Sequence, residues 1–248
     1  MIGIIGYGFV GKAVVNAFDK TKHIICDPAY TPIEVEDVVK ANPEAIFVCV
    51  PTPTDNHNYA IIKDVLNKLK SYKGITVVKS TILPQHIEEY DVVANPEFLS
   101  RNTANEDFVN PPFVLFGGDP VKTKQLYEIY KKYSKVNLNK VKFTDLNTAL
   151  MYKYIVNSFY ATKVTFMNQM YDVCEKADVD YNEIKTIMHM NPWIANQHLD
   201  VPGHEGRGFG GPCLPKDTEA LGRTFDVELL DKVLELNTLY RRGNNGSN

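Results

Sequence analysis

The chain has 248 residues, of which 44% are hydrophobic and 23% are charged, a composition typical of soluble globular proteins with one or two domains. The formal net charge of −3 gives no electrostatic reason to expect a nucleic acid or an anionic membrane as partner. No apolar run is long enough to span a membrane, and the cysteines form no CxxC pair. We therefore expect a cytoplasmic protein with neither a disulfide framework nor a metal site.

A glycine-rich turn follows the first predicted strand. The strand covers Ile2 to Ile5, and the turn reads Gly6-Tyr7-Gly8-Phe9-Val10-Gly11. A helical stretch (12–18) and a second strand (23–26) come next, and the second strand ends in Asp27. Strand, GxGxxG, helix, strand and acid, in this order, are typical of a dinucleotide-binding fold.

Each residue of this pattern has a physical role. Gly6 makes the tight turn, Gly8 lets the backbone approach a pyrophosphate at the helix N-terminus, and Gly11 lets the helix pack on the strand. Asp27 can accept hydrogen bonds from ribose hydroxyls and would repel a 2′-phosphate. We therefore expect NAD as the cofactor rather than NADP.

Apolar runs of the buried parallel-strand type continue to residue 143 and alternate with helical stretches. The predicted strands are 45–50, 75–79, 91–94, 113–116 and 141–143, and the predicted helices are 61–71 and 121–133. The alternation predicts an α/β fold with a doubly wound parallel Rossmann sheet over residues 1–143.

Three polar turns follow predicted strands: Pro51-Thr52-Pro53, Lys79-Ser80-Thr81 and Asn95-Pro96-Glu97-Phe98-Leu99. Each is compatible with simple turn chemistry. In a doubly wound sheet, however, ligands bind beyond the carboxyl ends of the strands. Their common position therefore indicates function, most of all for Glu97.

Residues 144–248 predict an all-α domain with one long central helix over 145–177, capped by Thr144 or Asp145. Apolar residues surround this helix, which indicates burial. Lys153 and Asn157 are four residues apart and share one face. Lys153 is either a snorkelling lysine at the domain edge or an enclosed lysine that needs an anionic partner. Further helices are predicted at 180–189 and 218–241, with a long loop at 191–211 and a disordered tail at 243–248.

The segment from Gly208 to Asp217 places one thiol among glycines and prolines. A helix that begins near Pro215 would put Cys213 at its N-terminal end, where free N–H groups and the helix dipole favour a thiolate. Lys216 adds positive charge, and Asp217 offers a base one turn away. The alternative is a glycine-rich loop before a surface helix, with Cys213 as an ordinary small residue.

Taken together, these motifs resemble the UDP-glucose 6-dehydrogenase family of nucleotide-sugar dehydrogenases. The glycine turn, the three polar turns, Lys153-Tyr154 with Asn157 and Lys163, and the Gly208–Asp217 segment agree with it in order and spacing. The resemblance implies NAD as cofactor and a small nucleotide sugar as substrate, in the first place UDP-glucose, oxidised at C6 to UDP-glucuronate. It further implies a thiohemiacetal and a thioester on the cysteine, and a homodimer through the helix over 145–177.

The resemblance also implies roles for individual residues. Cys213 would be the nucleophile, and Lys153 and Asn157 would stabilise the oxyanion at C6. Proton transfer would fall to Asp217, together with Glu97 and Thr81 acting through water. The implied cofactor contacts are Gly6, Tyr7, Gly8, Phe9, Val10, Gly11, Asp27, Pro51, Thr52, Ser80 and Thr81. The implied substrate contacts are Glu97, Phe98, Leu99, Lys153, Asn157, Gly210, Cys213 and Lys216.

Departures from the family pattern leave the identity of the sugar open. They are Arg101, Leu150, Gln169 and Trp193. The chain also lacks the family's third, nucleotide-gripping domain, so it is either a short form or a fragment. Three alternatives remain: a dehydrogenase of another sugar nucleotide, such as GDP-mannose or a UDP-N-acetylhexosamine; a two-electron dehydrogenase of the hydroxyacid type; and a non-catalytic NAD-binding or dimerisation module.

Overall fold

The structure, a computed structural model, describes residues 1–53, 59–100 and 102–244. Arg101 and residues 245–248 of the predicted tail lie outside the described residues. The chain divides into two compact units, Met1–Lys153 and Tyr154–Asn248. This division falls ten residues after the domain boundary that the sequence predicts between 143 and 144, and that boundary stays a prediction.

The first unit is built on a seven-stranded sheet in the order β2-β1-β3-β4-β5-β6-β7. The strands are β1 (Ile2–Ile5), β2 (His23–Cys26), β3 (Ala45–Val48), β4 (Ile75–Val78), β5 (Val92–Ala94), β6 (Val114–Gly117) and β7 (Val141–Thr144). Its helices are α1 (Phe9–Ala17), α2 (Val35–Lys40), α3 (Ala60–Lys68), α4 (Ala104–Val109) and α5 (Pro120–Tyr133), with a 3-10 helix at Pro84–His86. The predicted fold class is confirmed, although the six-residue helices α2 and α4 were not predicted.

One pair of neighbouring strands departs from the predicted parallel arrangement. Strands β1 to β5 are mutually parallel, but β6 runs antiparallel to β5, with Ala94 opposite Gly117. β7 is parallel to β6 and follows it through α5. The sheet is therefore mostly parallel, because the chain reverses direction between β5 and β6.

Helices cover both faces of the sheet, and adjacent strand residues alternate between the two apolar cores. Ile46 and Val48 of β3 pack in one cluster with residues of α2 and α3. Ala45 and Phe47 pack in the other cluster with residues of α1, α4 and α5. Because side chains along a strand point alternately to opposite faces, burial of all four residues requires both layers.

The long helix α6 (Leu146–Lys176) begins in the first unit. Asp145 caps it by accepting a hydrogen bond from the Thr148 N–H at 2.8 Å, which confirms Asp145 as one of the two predicted caps. The hydrogen bonds from the Thr148 hydroxyl and from its N–H lower the pKa of the Asp145 carboxyl. Ala149 and Leu150 belong to the apolar core of the first unit, so the first turns of α6 are part of it.

The second unit contains the rest of α6 with α7 (Tyr181–Met190), α8 (Leu214–Phe225) and α9 (Glu228–Asn244). The prediction of one helix over 218–241 is wrong, because the helix is interrupted at Asp226. This residue has a φ of +51°, the left-handed conformation that ends a helix, and the next N–H bonds back to the Gly222 carbonyl. Gly243 and Asn244, predicted as part of the tail, lie in the last turn of α9.

One face of α6 in the second unit carries exposed apolar side chains, contrary to the prediction that this helix is buried all round. Ile155, Phe159, Phe166 and Val173 are each more than half exposed. At 100° per residue these four side chains fall within about 40° of one another around the helix. We call this set the α6 stripe. No helix in the described ranges has the length and apolarity needed to cross a membrane.

Candidate active site

In the glycine turn after β1, the protein's own packing requires a glycine at two positions and leaves space beside the third. Gly6 has a φ of +90°, and a Cβ there would lie 2.7 Å from the Cys49 carbonyl oxygen at the end of β3. A Cβ on Gly11 would lie 2.1 Å from the Gly6 oxygen. Among the residues that the structure describes, a Cβ on Gly8 would meet no atom within 4 Å. The open space beside Gly8 fits a ligand that approaches the backbone.

The start of α1 also fits a bound pyrophosphate. Gly8 is the N-cap and supplies no side-chain hydrogen bond, and Phe9 and Val10 form the first helical positions. The N–H groups of a first turn have no partner within the helix, and they attract anions. The residues present therefore fit NAD, and the turn as the site of its phosphates stays a prediction.

Asp27 holds the backbone at two neighbouring turns. Its carboxylate accepts the Tyr7 N–H at 2.6 Å, which holds the glycine turn, and the Ala29 N–H at 2.9 Å, which forms the turn after β2. Each carboxylate oxygen retains a lone pair, so the group can still accept a ribose hydroxyl. Beside it, Lys12 donates to the Tyr30 hydroxyl at 3.1 Å.

The polar turns after β3 and β4 are joined to each other. The Ser80 hydroxyl donates to the Val50 carbonyl at 2.6 Å, and this hydrogen bond holds the two loops together. Thr52 is buried, Pro51 is exposed and Thr81 is half-buried. The proposed cofactor contacts of these residues stay predictions.

A buried polar network below these turns was not predicted. Lys79 donates to the Asn95 Oδ1 at 2.9 Å, and Tyr130 donates to the same oxygen at 2.5 Å. Asn95 in turn donates to the Leu115 carbonyl at 2.9 Å. Burial lowers the pKa of Lys79 to about 8. The available signal was a lysine that directly continues an apolar strand, because an enclosed ammonium group requires polar partners.

Glu97 and Lys153 form a buried ion pair within the first unit. The Lys153 Nζ lies 3.3 Å from Glu97 Oε1 and donates to the Glu97 carbonyl at 2.6 Å. Both residues are less than 10% exposed, so Lys153 is not a snorkelling lysine. Its anionic partner is Glu97, which the sequence analysis did not pair with it. The second oxygen of Glu97 accepts the Leu99 N–H at 2.7 Å, and the Phe98 ring lies 5.5 Å from the Lys153 Nζ.

The predicted residues of the second unit meet around Asp217, which is fully buried. Asn157 donates its Nδ2–H to Asp217 Oδ2 at 2.6 Å. Lys216 makes a short hydrogen-bonded ion pair with Asp217 Oδ1. The Asp217 N–H donates to the Cys213 carbonyl at 2.9 Å. The first turn of α8 thus brings Cys213, Lys216 and Asp217 together and joins Asp217 to Asn157 on α6.

Cys213 is the N-cap residue of α8, and Pro215 lies in the first turn, as predicted. The thiol is half-buried. Burial raises the pKa of Cys49 to about 12, and burial also raises the pKa of Cys26. Because the thiolate is the nucleophile, these two cysteines are unsuited to attack near neutral pH.

Upstream of Cys213, an arginine that was not predicted fastens the loop to α6. Arg207 forms an ion pair with Asp172 at 2.6 Å and donates to the Asn168 carbonyl at 2.8 Å. Its guanidinium lies between the Tyr171 and Tyr240 rings, 5.1 and 4.5 Å from their centroids. Further along, a Cβ on Gly210 would lie 2.3 Å from a Glu205 carboxylate oxygen. Across the described ranges, no three His, Cys, Asp or Glu side chains form a group able to hold a metal ion.

Comparison with known proteins connects these features to one family. The NAD binding domain model of the UDP-glucose/GDP-mannose dehydrogenase family matches residues 30–134, and its central domain model matches residues 147–239. The UDP-glucose 6-dehydrogenase of Rickettsia felis is 34% identical over 215 residues, which cover 78% of this chain and 46% of that protein. The chain spans about half the length of the curated UDP-glucose 6-dehydrogenases it matches.

Two solved structures share the fold. A UDP-glucose dehydrogenase from Pyrobaculum islandicum superposes with a TM-score of 0.79 at 24% identity, over 96% of this chain and 68% of that one. A UDP-D-ManNAc dehydrogenase from Pyrococcus horikoshii gives a TM-score of 0.81 at 17% identity, over 99% and 70%. The TM-scores support a common architecture, and identities this low leave the substrate open.

Proposed function

This chain belongs to the UDP-glucose/GDP-mannose dehydrogenase family, and from that premise we propose that it oxidises the C6 alcohol of a nucleotide sugar to a carboxylate, with UDP-glucose as the first candidate. NAD supplies the hydride acceptor for both two-electron oxidations. The observation that carries the proposal is the first turn of α8, where Cys213 is the N-cap and Asp217 is buried against Asn157. We further propose that the protein acts in the cytoplasm.

The side chains match the steps that such an oxidation requires. The Cys213 thiolate attacks the C6 aldehyde to form a thiohemiacetal, and after the second oxidation water hydrolyses the thioester. Lys153 and Asn157, one helical turn apart on α6, supply donors for the oxyanion at C6. Asp217 takes up and returns protons, with Glu97 and Thr81 acting through water. Glu97 also holds the Lys153 ammonium in place through the buried ion pair.

The decisive experiment is an assay of NADH formed per molecule of nucleotide sugar. With UDP-glucose in limiting amount we expect two NADH per sugar and UDP-glucuronate as the product. The same assay with GDP-mannose and UDP-N-acetylhexosamines distinguishes the alternatives, because the preferred substrate gives the highest kcat/KM. One NADH per sugar would favour a two-electron dehydrogenase. NAD binding without turnover on any nucleotide sugar would favour a non-catalytic module.

We also propose that two copies of the chain associate through the α6 stripe. An exposed apolar surface on one helix is typical of a protein–protein interface, since it gains free energy when it leaves water. The stripe includes two phenylalanines, Phe159 and Phe166, that are 61% and 53% exposed. A second copy offers the same surface, so the pairing would be symmetric.

A charge in the α6 stripe should therefore separate the copies. For Phe159→Glu we expect a monomer at concentrations where the unchanged protein is a dimer, because two carboxylates would be buried at the symmetric interface. Multi-angle light scattering after size exclusion measures the mass directly. Glu175→Gln, an exposed change on the same helix but outside the stripe, is the control and should leave the dimer intact. A dimer that persists in Phe159→Glu would contradict the proposal.

A further inference from the structure

The loop that leads to Cys213 is held at consecutive residues by amide side chains from two helices. Asn168 on α6 accepts the Gly208 N–H at 3.2 Å through its Oδ1. Asn237 on α9 accepts the Phe209 N–H at 2.7 Å and donates its Nδ2–H to the Phe209 carbonyl at 3.0 Å. Both the oxygen and the nitrogen of the Asn237 amide thus bind the backbone of one residue, Phe209. Two such bonds fix the orientation of that residue as well as its position.

The packing around Asn237 leaves little room for a different arrangement. Asn237 is 8% exposed and Phe209 is 4% exposed. The Phe209 ring packs in a cluster with Ala161 and Val233. Gly208 has a φ of +78°, and a Cβ there would lie 2.5 Å from Asn237 Oδ1. The glycine therefore permits both the turn and the close approach of the amide.

We call the two hydrogen bonds between the Asn237 amide and the Phe209 backbone the clamp. The clamp lies a short distance along the chain from the Cys213 thiol. Only three residues, Gly210, Gly211 and Pro212, separate Phe209 from Cys213. On the far side, Cys213 is tied into α8 through its carbonyl, which accepts the Asp217 N–H at 2.9 Å. A displacement of Phe209 must therefore be absorbed within this short segment or passed on to Cys213.

We propose that Asn237 is a positioning residue that sets the place of the Cys213 thiol by clamping the backbone of Phe209. It touches no reacting atom and acts through the loop alone. Its effect on turnover rests on the proposed function, whereas its effect on the thiol does not. A misplacement of about 1 Å in a reacting group can cost on the order of 10²-fold in rate.

Two variants remove the clamp from opposite sides. Asn237→Ala deletes the amide, and Gly208→Ala introduces a Cβ that collides with its oxygen. For each we expect kcat to fall at least about tenfold, with the KM for NAD changed less than about twofold, because the NAD-binding residues belong to the other unit. We also expect iodoacetamide to alkylate Cys213 at least about threefold faster, since a released loop exposes the half-buried thiol. Mass spectrometry of the Cys213 peptide measures this rate.

The double variant tests whether the two changes act through one contact. Without the Asn237 amide, the new Cβ at position 208 loses its 2.5 Å clash with Oδ1 and keeps only the strain of the φ of +78° and the contacts with Tyr240 Cβ at 3.3 Å and Arg241 Cδ at 3.4 Å, so Gly208→Ala should cost less in that background. Thr238→Ala is the control, because its hydroxyl donates within α9, to the Leu234 carbonyl at 2.9 Å. It should leave kcat and the alkylation rate unchanged.

The alkylation rate separates the two proposals. Faster alkylation of Cys213 in both variants supports the clamp, even if no nucleotide sugar is turned over. Unchanged alkylation and unchanged kcat in the folded variants overturn it. If Asn237→Ala gives no folded protein by circular dichroism, Gly208→Ala decides, because it leaves the α9 side chain in place.

Discussion

Replacing Cys213 with alanine is expected to lower the rate of UDP-glucuronate formation from UDP-glucose by at least about 10³-fold, the scale seen when an enzyme loses its nucleophile. Cys213 is the N-cap residue of α8, and its carbonyl accepts the buried Asp217 N–H. Without the thiol no thioester forms, so the second oxidation loses its covalent route. Chromatography of the nucleotide-sugar products at saturating NAD and UDP-glucose measures the loss, and NADH absorbance gives the number of oxidations completed per sugar.

Cys174 provides the matched control for this variant. It is a half-buried cysteine on α6 outside the predicted site. Cys174→Ala should keep the rate within about twofold, as expected for a change away from the chemistry. NAD binding, followed by fluorescence titration, should be the same in both variants. If Cys213→Ala still forms two NADH per sugar, the thioester mechanism is wrong.

Removing the Lys153 charge is expected to reduce both stability and turnover. In Lys153→Met the buried Glu97 carboxylate loses its cation, which should lower the free energy of unfolding by about 3 kcal/mol. The lost oxyanion donor should lower kcat on the order of 10²-fold. Urea unfolding and steady-state kinetics measure the two effects separately.

A double variant separates these two contributions. In Lys153→Met with Glu97→Gln no unpaired charge is buried, so part of the lost stability should return while kcat stays low. Lys176→Met, at the exposed end of α6, is the control and should change stability by less than about 1 kcal/mol. Recovery of both stability and kcat in the double variant would exclude a catalytic role for the Lys153 ammonium.

The parts of the fold that could be predicted are those with a strong local pattern. Strands of four buried residues, such as β1 and β3, stand out as apolar runs between turn signals. The helices α2 and α4 were missed because six residues show less than two turns of periodicity. The break at Asp226 was missed because the apolar pattern continues across it and no glycine marks the left-handed residue.

The candidate site was predicted in its residue types and only partly in its pairings. Lys153 and Glu97 are 56 residues apart, and Asn157 and Asp217 are 60 apart, so no local pattern joins them. The motif that contains Glu97 and the helix that contains Lys153 were both identified. The ion pair itself depends on how α6 packs against the loop after β5, which is a tertiary property. The same reason hid the clamp of Asn237 on Phe209.

The enclosure of Lys79 ties the folding of the first unit to proton release. Its pKa is about 8 in the folded chain, whereas the pKa of a lysine in the unfolded chain is about 10.4. Between these values only the unfolded chain holds the proton, so the folded state gains stability as the pH rises through this window. Below pH 8 both states are protonated, and the full cost of burying the ammonium is present. Cys49, with a pKa of about 12, has the opposite linkage, because the unfolded thiol ionises first as the pH rises. The ends of β3 and β4 thus contain two neighbouring groups whose proton exchanges on unfolding oppose each other where their alkaline ranges overlap.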